Sequence, residues 1–345
     1  MILLYVILLV IVLFSLRPSN KGGGYIAKSM TNSIKGIFIW IVFICHISGY
    51  IDSLPCLSYW DKLLYIVNGY IRQLLVVPFL FYSGYGVMTA VKNKDKYAGN
   101  LLINRVLPTI VNFDIAVFFF IILNWVLGIN LSLMNTLLAF TAWTDVGNSN
   151  WYIFCICVCY ISTWLCYQFF GVTTKMICAL IICVLIYTGI LYFFKGSWWY
   201  DTIYAYAAGA CFAWWKDKVE FAIKKYYRSL FIISLLGFVI FYNADMPKYF
   251  GIVANITALF MCMIMVLFSY KIKIESKVLE WSGSHLFPLY IYQRIPMLAL
   301  SVMAGGTFMA EHYYLYIVVS IIVTVFIALL YKYINISHLR NSLTS

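Results

Sequence analysis

The sequence predicts an all-α polytopic integral membrane protein, with about 10–11 transmembrane helices in a single membrane domain. Hydrophobic residues fill 64% of 345 positions, and mean hydropathy is +0.91. Charged residues make up only 10%, against about a quarter in soluble domains. The apolar residues also fall into runs bounded by charges and turn formers, which suggest eleven spans: 2–16, 36–51, 66–90, 107–127, 150–170, 176–194, 201–215, 229–243, 250–270, 286–304 and 313–334. Several are shorter than the ~20 residues that an upright helix needs to cross. The first run lacks a basic leader and a small-residue cleavage site, so it reads as a retained helix and not a signal peptide. The expected organisation is an additional N-terminal transmembrane helix at 1–17, a membrane domain at 30–335, and a short cytoplasmic tail at 336–345.

Orientation follows from the basic residues, which concentrate in cytoplasmic loops. Of the 24 lysines and arginines, only Lys62, Lys195 and Lys248 fall in one set of alternate loops. Arg72 and Arg294 lie within predicted spans, and all the others fall in the opposite set. This puts the N-terminus outside, the C-terminus in the cytoplasm and Lys35 at the cytoplasmic face. The net charge of +12 is thereby used up as a topology signal, and no nucleic-acid partner is expected. Nine of the ten cysteines lie in apolar runs; only Cys56 falls in an outer loop. Cys155, Cys157 and Cys159 fan around a helix instead of converging, so they read as small hydrophobes, and no metal is expected. Tryptophan and tyrosine pairs such as Trp198–Trp199 read as interfacial anchors.

Some polar residues are left over. In KGIFIWIVFICHISGY, Lys35 precedes His46 by eleven residues, close to three helical turns. The two side chains therefore share a face, roughly 16 Å apart along the axis. An ionisable group at bilayer depth costs free energy and marks a functional site, or else a histidine bonded to a neighbouring helix for packing alone. Arg72 stands in the outer part of the third run, with an outward, snorkelling orientation as its alternative. It is followed by Pro78 and PFLFYSGYGV, whose Ser83, Gly84 and Gly86 allow close helix approach or a local break. Arg105 opens the fourth run three residues before Pro108, with Asp114 two turns deeper. Near the end, SGSHLFPLYIYQRIP sets His285, Gln293 and Arg294 around Pro288 and Pro296. Arginine at that depth demands a partner or water.

Taken in order, these blocks resemble the acyltransferase-3 family of integral-membrane acyltransferases. The resemblance rests on Lys35 with His46, on FLFYSGYGV with Ser83, Gly84 and Tyr85, and on NRVLP with Arg105 and Pro108. It rests also on NSNWYIF around Trp151 and on SHLFPLYIYQRIP, so it covers about residues 30–335. The chain departs from the family at Leu102, where many members carry an arginine, and at Gln293, where members often carry histidine. No C-terminal esterase-like domain of the kind that some members append is expected.

The resemblance implies a transferase moving acyl groups other than aminoacyl, acetyl in the family's commonest form, from acyl-coenzyme A (acetyl-CoA) to a hydroxyl. The acceptor would be a cell-surface polysaccharide, such as capsule or exopolysaccharide, or its lipid-linked oligosaccharide precursor, at the bacterial cytoplasmic membrane. His46 would be the catalytic group, either as base or as transient acyl acceptor. Lys35 and Arg105 would meet the anionic donor. Arg72, Tyr85, Trp151 and Arg294 would serve the acceptor, and membrane lipid would surround the whole. The competing expectation is a polysaccharide or small-molecule exporter that uses His46, Asp114, Arg72 and Arg294 as a proton or substrate path. An internal repeat would favour that reading, and the sequence has none.

Overall fold

The computed structural model describes residues 1–19, 23–51, 58–244 and 251–334, and gives the backbone but not the side chains of residues 72, 304–310, 332 and 334. Lys21, Cys56, Lys248, Arg340 and the tail 336–345 lie outside the described residues. The chain is almost wholly helical: α1 (Ile2–Ser15), α2 (Lys28–Ile51), α3 (Tyr59–Ile71), α4 (Val77–Asn93), α5 (Leu107–Val126), α6 (Leu133–Ala139) and α7 (Trp151–Phe170). It continues with α8 (Thr174–Phe194), α9 (Tyr204–Trp214), α10 (Lys216–Asn243), α11 (Ile252–Lys271), α12 (Lys277–Ser284), α13 (Leu286–Tyr292) and α14 (Arg294–Ile334). Among the described residues, nine helical stretches are long and apolar enough to cross a membrane. The protein is thus a multi-pass membrane protein.

All eleven predicted runs are helical, but two of them are too short to span upright. The 14 residues of α1 rise about 21 Å and the 11 of α9 about 17 Å, short of the ~30 Å hydrocarbon. The third run also divides differently from the prediction. Tyr59–Ile71 forms a helix of its own, a tight turn covers Arg72–Val76, and the span begins at Gln73. Arg72 therefore stands at the boundary and not inside the span. Conversely, α2 starts at Lys28, so Lys35 sits two turns inside the helix, half-buried.

Neither proline breaks a helix. Pro78 and Pro108 both occupy the first turn of their helices, α4 and α5, where the missing N–H had no partner to lose. A single π-helical turn, Leu102–Val106, leads into α5 and carries Arg105. SGYG is likewise no break, because α4 runs through it unbroken.

Small residues decide how the helices cross. A Cβ on Gly84 would lie 2.0 Å from the carbonyl oxygen of Tyr206, and one on Gly209 would lie 1.9 Å from that of Phe81. So α4 and α9 cross backbone to backbone. The α9 residues Ala205, Gly209 and Ala213 recur every fourth position, all buried, which is the small-residue seam of close membrane helix pairs. A second crossing of this kind joins α2 to α12. There Cβ atoms on Gly36 and Gly283 would lie 2.0 Å and 1.9 Å from the carbonyl oxygens of Leu279 and Asn32. Trp40 donates its Nε1–H to Ser282 Oγ at 2.9 Å beside it.

The 41 residues of α14 fold back on themselves. Tyr316 donates its hydroxyl to the Met297 carbonyl at 3.0 Å, although 19 residues of straight helix would separate them by about 28 Å. Ring contacts of Tyr331 with Phe287 at 5.8 Å and Tyr292 at 6.2 Å set the far end of α14 against α13. A short antiparallel ribbon, Leu16–Pro18 against Ile272–Ile274 with Leu16 opposite Ile274, ties the end of α1 to the end of α11.

One loop group carries a titration of its own. Asp201 lies between α8 and α9, 9% exposed, and burial pushes its carboxyl up to about 6, partly offset by a hydrogen bond from Ser197. The folded state binds this proton more tightly than the unfolded chain. Its contribution to stability is therefore fully present below about pH 4 and is lost as pH rises through about 6. Asp201→Asn is expected to stabilise the detergent-solubilised protein at pH 7.5, by on the order of 1–2 kcal/mol, and the gain should vanish at pH 4. Thermal unfolding at the two pH values checks this; a gain of equal size at both would show that ionisation is not the cause.

Candidate functional site

The site assembles around the far end of α2. Lys35 and His46 ride on the same unbroken helix, about 16 Å apart and within about 20° of the same face. His46 lines a cavity of about 490 Å³ together with Gly49, Tyr65, Gln73, Trp151, Trp198, Tyr290 and Arg294. Three residues singled out from separate parts of the sequence, His46, Trp151 and Arg294, thus meet in one space. The imidazole centroid is 6.3 Å from the Tyr290 ring.

Each wall has a local cause. Trp151 opens α7, and the loop before it is held by asparagine side chains. Asn124 Nδ2 donates to the carbonyls of Phe120 and Val146, both at 2.7 Å, and Asn150 Nδ2 to the carbonyl of Ala142 at 2.9 Å. Asn148 Oδ1 accepts the Val146 N–H at 2.9 Å. These amide bonds fix a loop that would otherwise expose backbone to hydrocarbon, although the buried Nδ2 of Asn148 finds no acceptor among the described residues. Arg294 donates Nη1–H to the Asn148 carbonyl at 3.4 Å and lies over the Tyr50 ring at 5.9 Å. Among the described residues it has no carboxylate partner, and its buried Nε has no acceptor. A guanidinium with spare donors at the wall of a polar cavity suits an oxygen that gains negative charge.

Lys35 and Arg105 meet at the opposite end. Lys35 is within electrostatic range of Lys28 and Arg105. Arg105 donates Nε–H to the Tyr97 hydroxyl at 3.0 Å. An adjoining surface cavity of about 460 Å³ is lined by Lys28, Lys277, Glu280 and Trp281. Between the two ends lies a tyrosine layer centred on Ser83, which contacts Tyr152 and Tyr160. Tyr152 packs on Tyr290 at 5.3 Å, Tyr160 packs on Tyr206 at 6.2 Å, and the Tyr206 hydroxyl is 2.9 Å from Thr163 Oγ1. Ser83 thus belongs to this layer and not to the cavity.

Other expected site residues fall elsewhere. Tyr85 does not line the His46 cavity. Its ring packs on Phe212 at 5.8 Å, because it lies two turns along α4 from the cavity wall. Asp114 lies beside Cys157 and does not line the cavity either. Gln293 is fully buried and donates Nε2–H to the Tyr290 carbonyl at 3.0 Å, so the family's histidine position points away from this cavity. The Arg72 side chain lies outside the described part; its backbone directly precedes the cavity residue Gln73.

Sequence reading missed Tyr65, Gln73, Trp198 and Tyr290 as cavity residues. Tyr290 was within reach, since PLYIYQR sets it one helical turn before Arg294. Trp198 looked like an interfacial anchor, and no spacing distinguishes an anchor from a cavity wall.

The fold and site define a class: a helical multi-pass membrane protein with an intramembrane histidine in a polar, aromatic-walled cavity. Comparison with protein-family profiles, curated proteins and solved structures gives no match, so the functional reading rests on the residues themselves.

Proposed function

We propose that the chain is a membrane-bound O-acyltransferase of the acyltransferase-3 type. It moves an acyl group, acetyl in the first instance, from cytosolic acyl-coenzyme A to a hydroxyl of an extracytoplasmic glycan or its lipid-linked precursor. The observation that carries this reading is the meeting of His46, Trp151 and Arg294 in one cavity, on the same helix as a basic cluster about 16 Å away. The basic end, with Lys28, Lys35 and Arg105, faces the cytosol and receives the donor's phosphates. The aromatic walls Trp151 and Trp198 offer faces for a sugar ring.

In this reading His46 takes the proton of the acceptor hydroxyl while that oxygen attacks the thioester carbon. Arg294 donates to the carbonyl oxygen as charge builds on it. The carbon–sulfur bond then breaks, and the imidazolium returns its proton to the departing thiolate. The new ester and the free thiol of coenzyme A are the products. The donor's arm reaches His46 through the layer around Ser83, so Tyr152 and Tyr160 must part during the cycle.

Lys35→Ala is expected to raise the donor KM about tenfold and leave the rate at saturating donor close to the parent's. Proteoliposomes given radiolabelled acetyl-CoA and surface polysaccharide from the host measure this. An unchanged KM would remove Lys35 from the donor site. The class of reaction is tested by NMR of the host polysaccharide. Its O-acetyl signals should disappear in a deletion strain and return with the intact gene. Unchanged acetylation with less polymer at the surface would establish export instead.

A further inference from the structure

A second cavity, apolar and apart from His46, plays no part in this chemistry. It measures about 510 Å³ and lies between α9, α10 and α11, with Phe81 of α4 at its back. Cys211, Ala222, Leu230, Met263 and Leu267 line it, and Lys218 is the only charged residue in its lining. An apolar space of this size excludes water. In a bilayer it must hold hydrocarbon or collapse, and the helices around it are arranged so that it stays open.

At one end α10 and α11 are in close contact. A Cβ on Gly237 would lie 2.3 Å from the Phe260 ring, and Phe241 stacks on Phe260 at 5.7 Å. Toward the other end α10 kinks at Tyr226 (φ −121°, ψ 25°). There a strut spans the gap: Tyr227 donates its hydroxyl to the Leu267 carbonyl at 3.2 Å, with Lys271 Nζ 5.0 Å from the Tyr227 ring. The helices are pinned, bent and propped, and the space between them is a built feature.

The mouth is basic. The first turns of α10 carry Lys216, Lys218, Lys224, Lys225 and Arg228. Of the acidic residues there, Glu220 already accepts from Tyr25 at 3.0 Å and pairs with Lys216 at 3.8 Å. Lys218 is exposed at the rim and forms no ion pair among the described residues. The apolar lining runs from Lys218 past the kink at Tyr226 to Leu230 and Leu267. An exposed ammonium at the rim of an apolar groove matches the phosphate and acyl chain of an anionic glycerophospholipid.

We propose that this groove is a specific lipid site, taking one acyl chain of an anionic glycerophospholipid with the head-group phosphate on Lys218. Clusters of basic residues at a membrane surface select anionic head groups, and the groove adds a fixed place for the chain beneath them. The site is separate from the His46 cavity and stands whether or not the acyltransferase reading does.

The test is native mass spectrometry of the delipidated full-length protein titrated with phosphatidylglycerol or phosphatidylcholine. The parent should retain phosphatidylglycerol at least about fivefold better. Lys218→Gln should remove most of that preference, whereas Lys62→Gln, on α3, which gives no residue to the lining, should keep it. Ala222→Trp, which fills the groove, should abolish retention of both lipids. Equal retention of the two lipids by the parent, or an undiminished preference in Lys218→Gln, would overturn the proposal. So would full retention by a folded Ala222→Trp protein. If that variant does not fold, the Lys218→Gln result decides alone.

Discussion

Replacing His46 with alanine is expected to reduce acyl transfer by about 10²–10⁴-fold, the range for loss of a positioned proton-transfer group. Truncation enlarges a space of about 490 Å³ that already exists at this wall and does not excavate a packed core. Thermal unfolding in detergent should therefore stay close to the parent's. The assay is transfer from radiolabelled acetyl-CoA to polysaccharide in proteoliposomes, with unfolding measured on the same preparation. Full activity in a folded variant would end the proposed mechanism. Arg294→Met is the informative partner, because it removes the spare donors and leaves the base. If Arg294 acts only on the charged carbonyl oxygen, kcat and kcat/KM should fall together; a rise in acceptor KM alone would make it a binding group.

The second large effect concerns stability, and the two glycines of one motif separate it. At Gly84 an added methyl group would meet the Tyr206 carbonyl oxygen at 2.0 Å and its carbon at 2.9 Å. Carbon contacts settle only at about 3.5–4.0 Å. The obstacle is the backbone of a packed helix, so relief requires α9 to move as a unit, and the tyrosine layer moves with it. Gly84→Ala is expected to cost about 3 kcal/mol, the upper end for overpacking. Gly86, two residues on, has nothing within 4 Å of its would-be Cβ. Gly86→Ala should be neutral or stabilise α4 by up to about 1 kcal/mol through helix propensity. Denaturant titration of both variants in mild detergent reads the difference, and equal stabilities would refute the close α4–α9 crossing.

Much of the architecture was legible because hydrocarbon imposes a simple code. Long apolar runs must be helices, since no other segment satisfies its own backbone in lipid. Helical periodicity alone then puts Lys35 and His46 on one face. Composition was less informative about where spans begin. The amphipathic helix Tyr59–Ile71 and the apolar third run are continuous in hydropathy, and only the tight turn at Arg72–Val76 divides them. SGYG stayed open between close helix approach and a local break for a related reason, and the structure shows close approach at Gly84. A glycine that permits a bend and a glycine that permits a close crossing look alike until the opposing backbone is known.

The sequence by itself determined the fold class, the approximate helix runs and the polar residues whose presence in lipid needs explaining, because each of these follows from local composition and a fixed helical pitch. The tertiary structure alone decided which of those residues share a space. It brought Trp151 and Arg294 to His46 from helices more than a hundred residues away in the chain, and it left Tyr85, Asp114 and Gln293 elsewhere. It also opened the groove at Lys218. Helix crossings set by single glycines and carbonyl oxygens govern these placements, and such contacts depend on partners distant in sequence that no periodicity encodes.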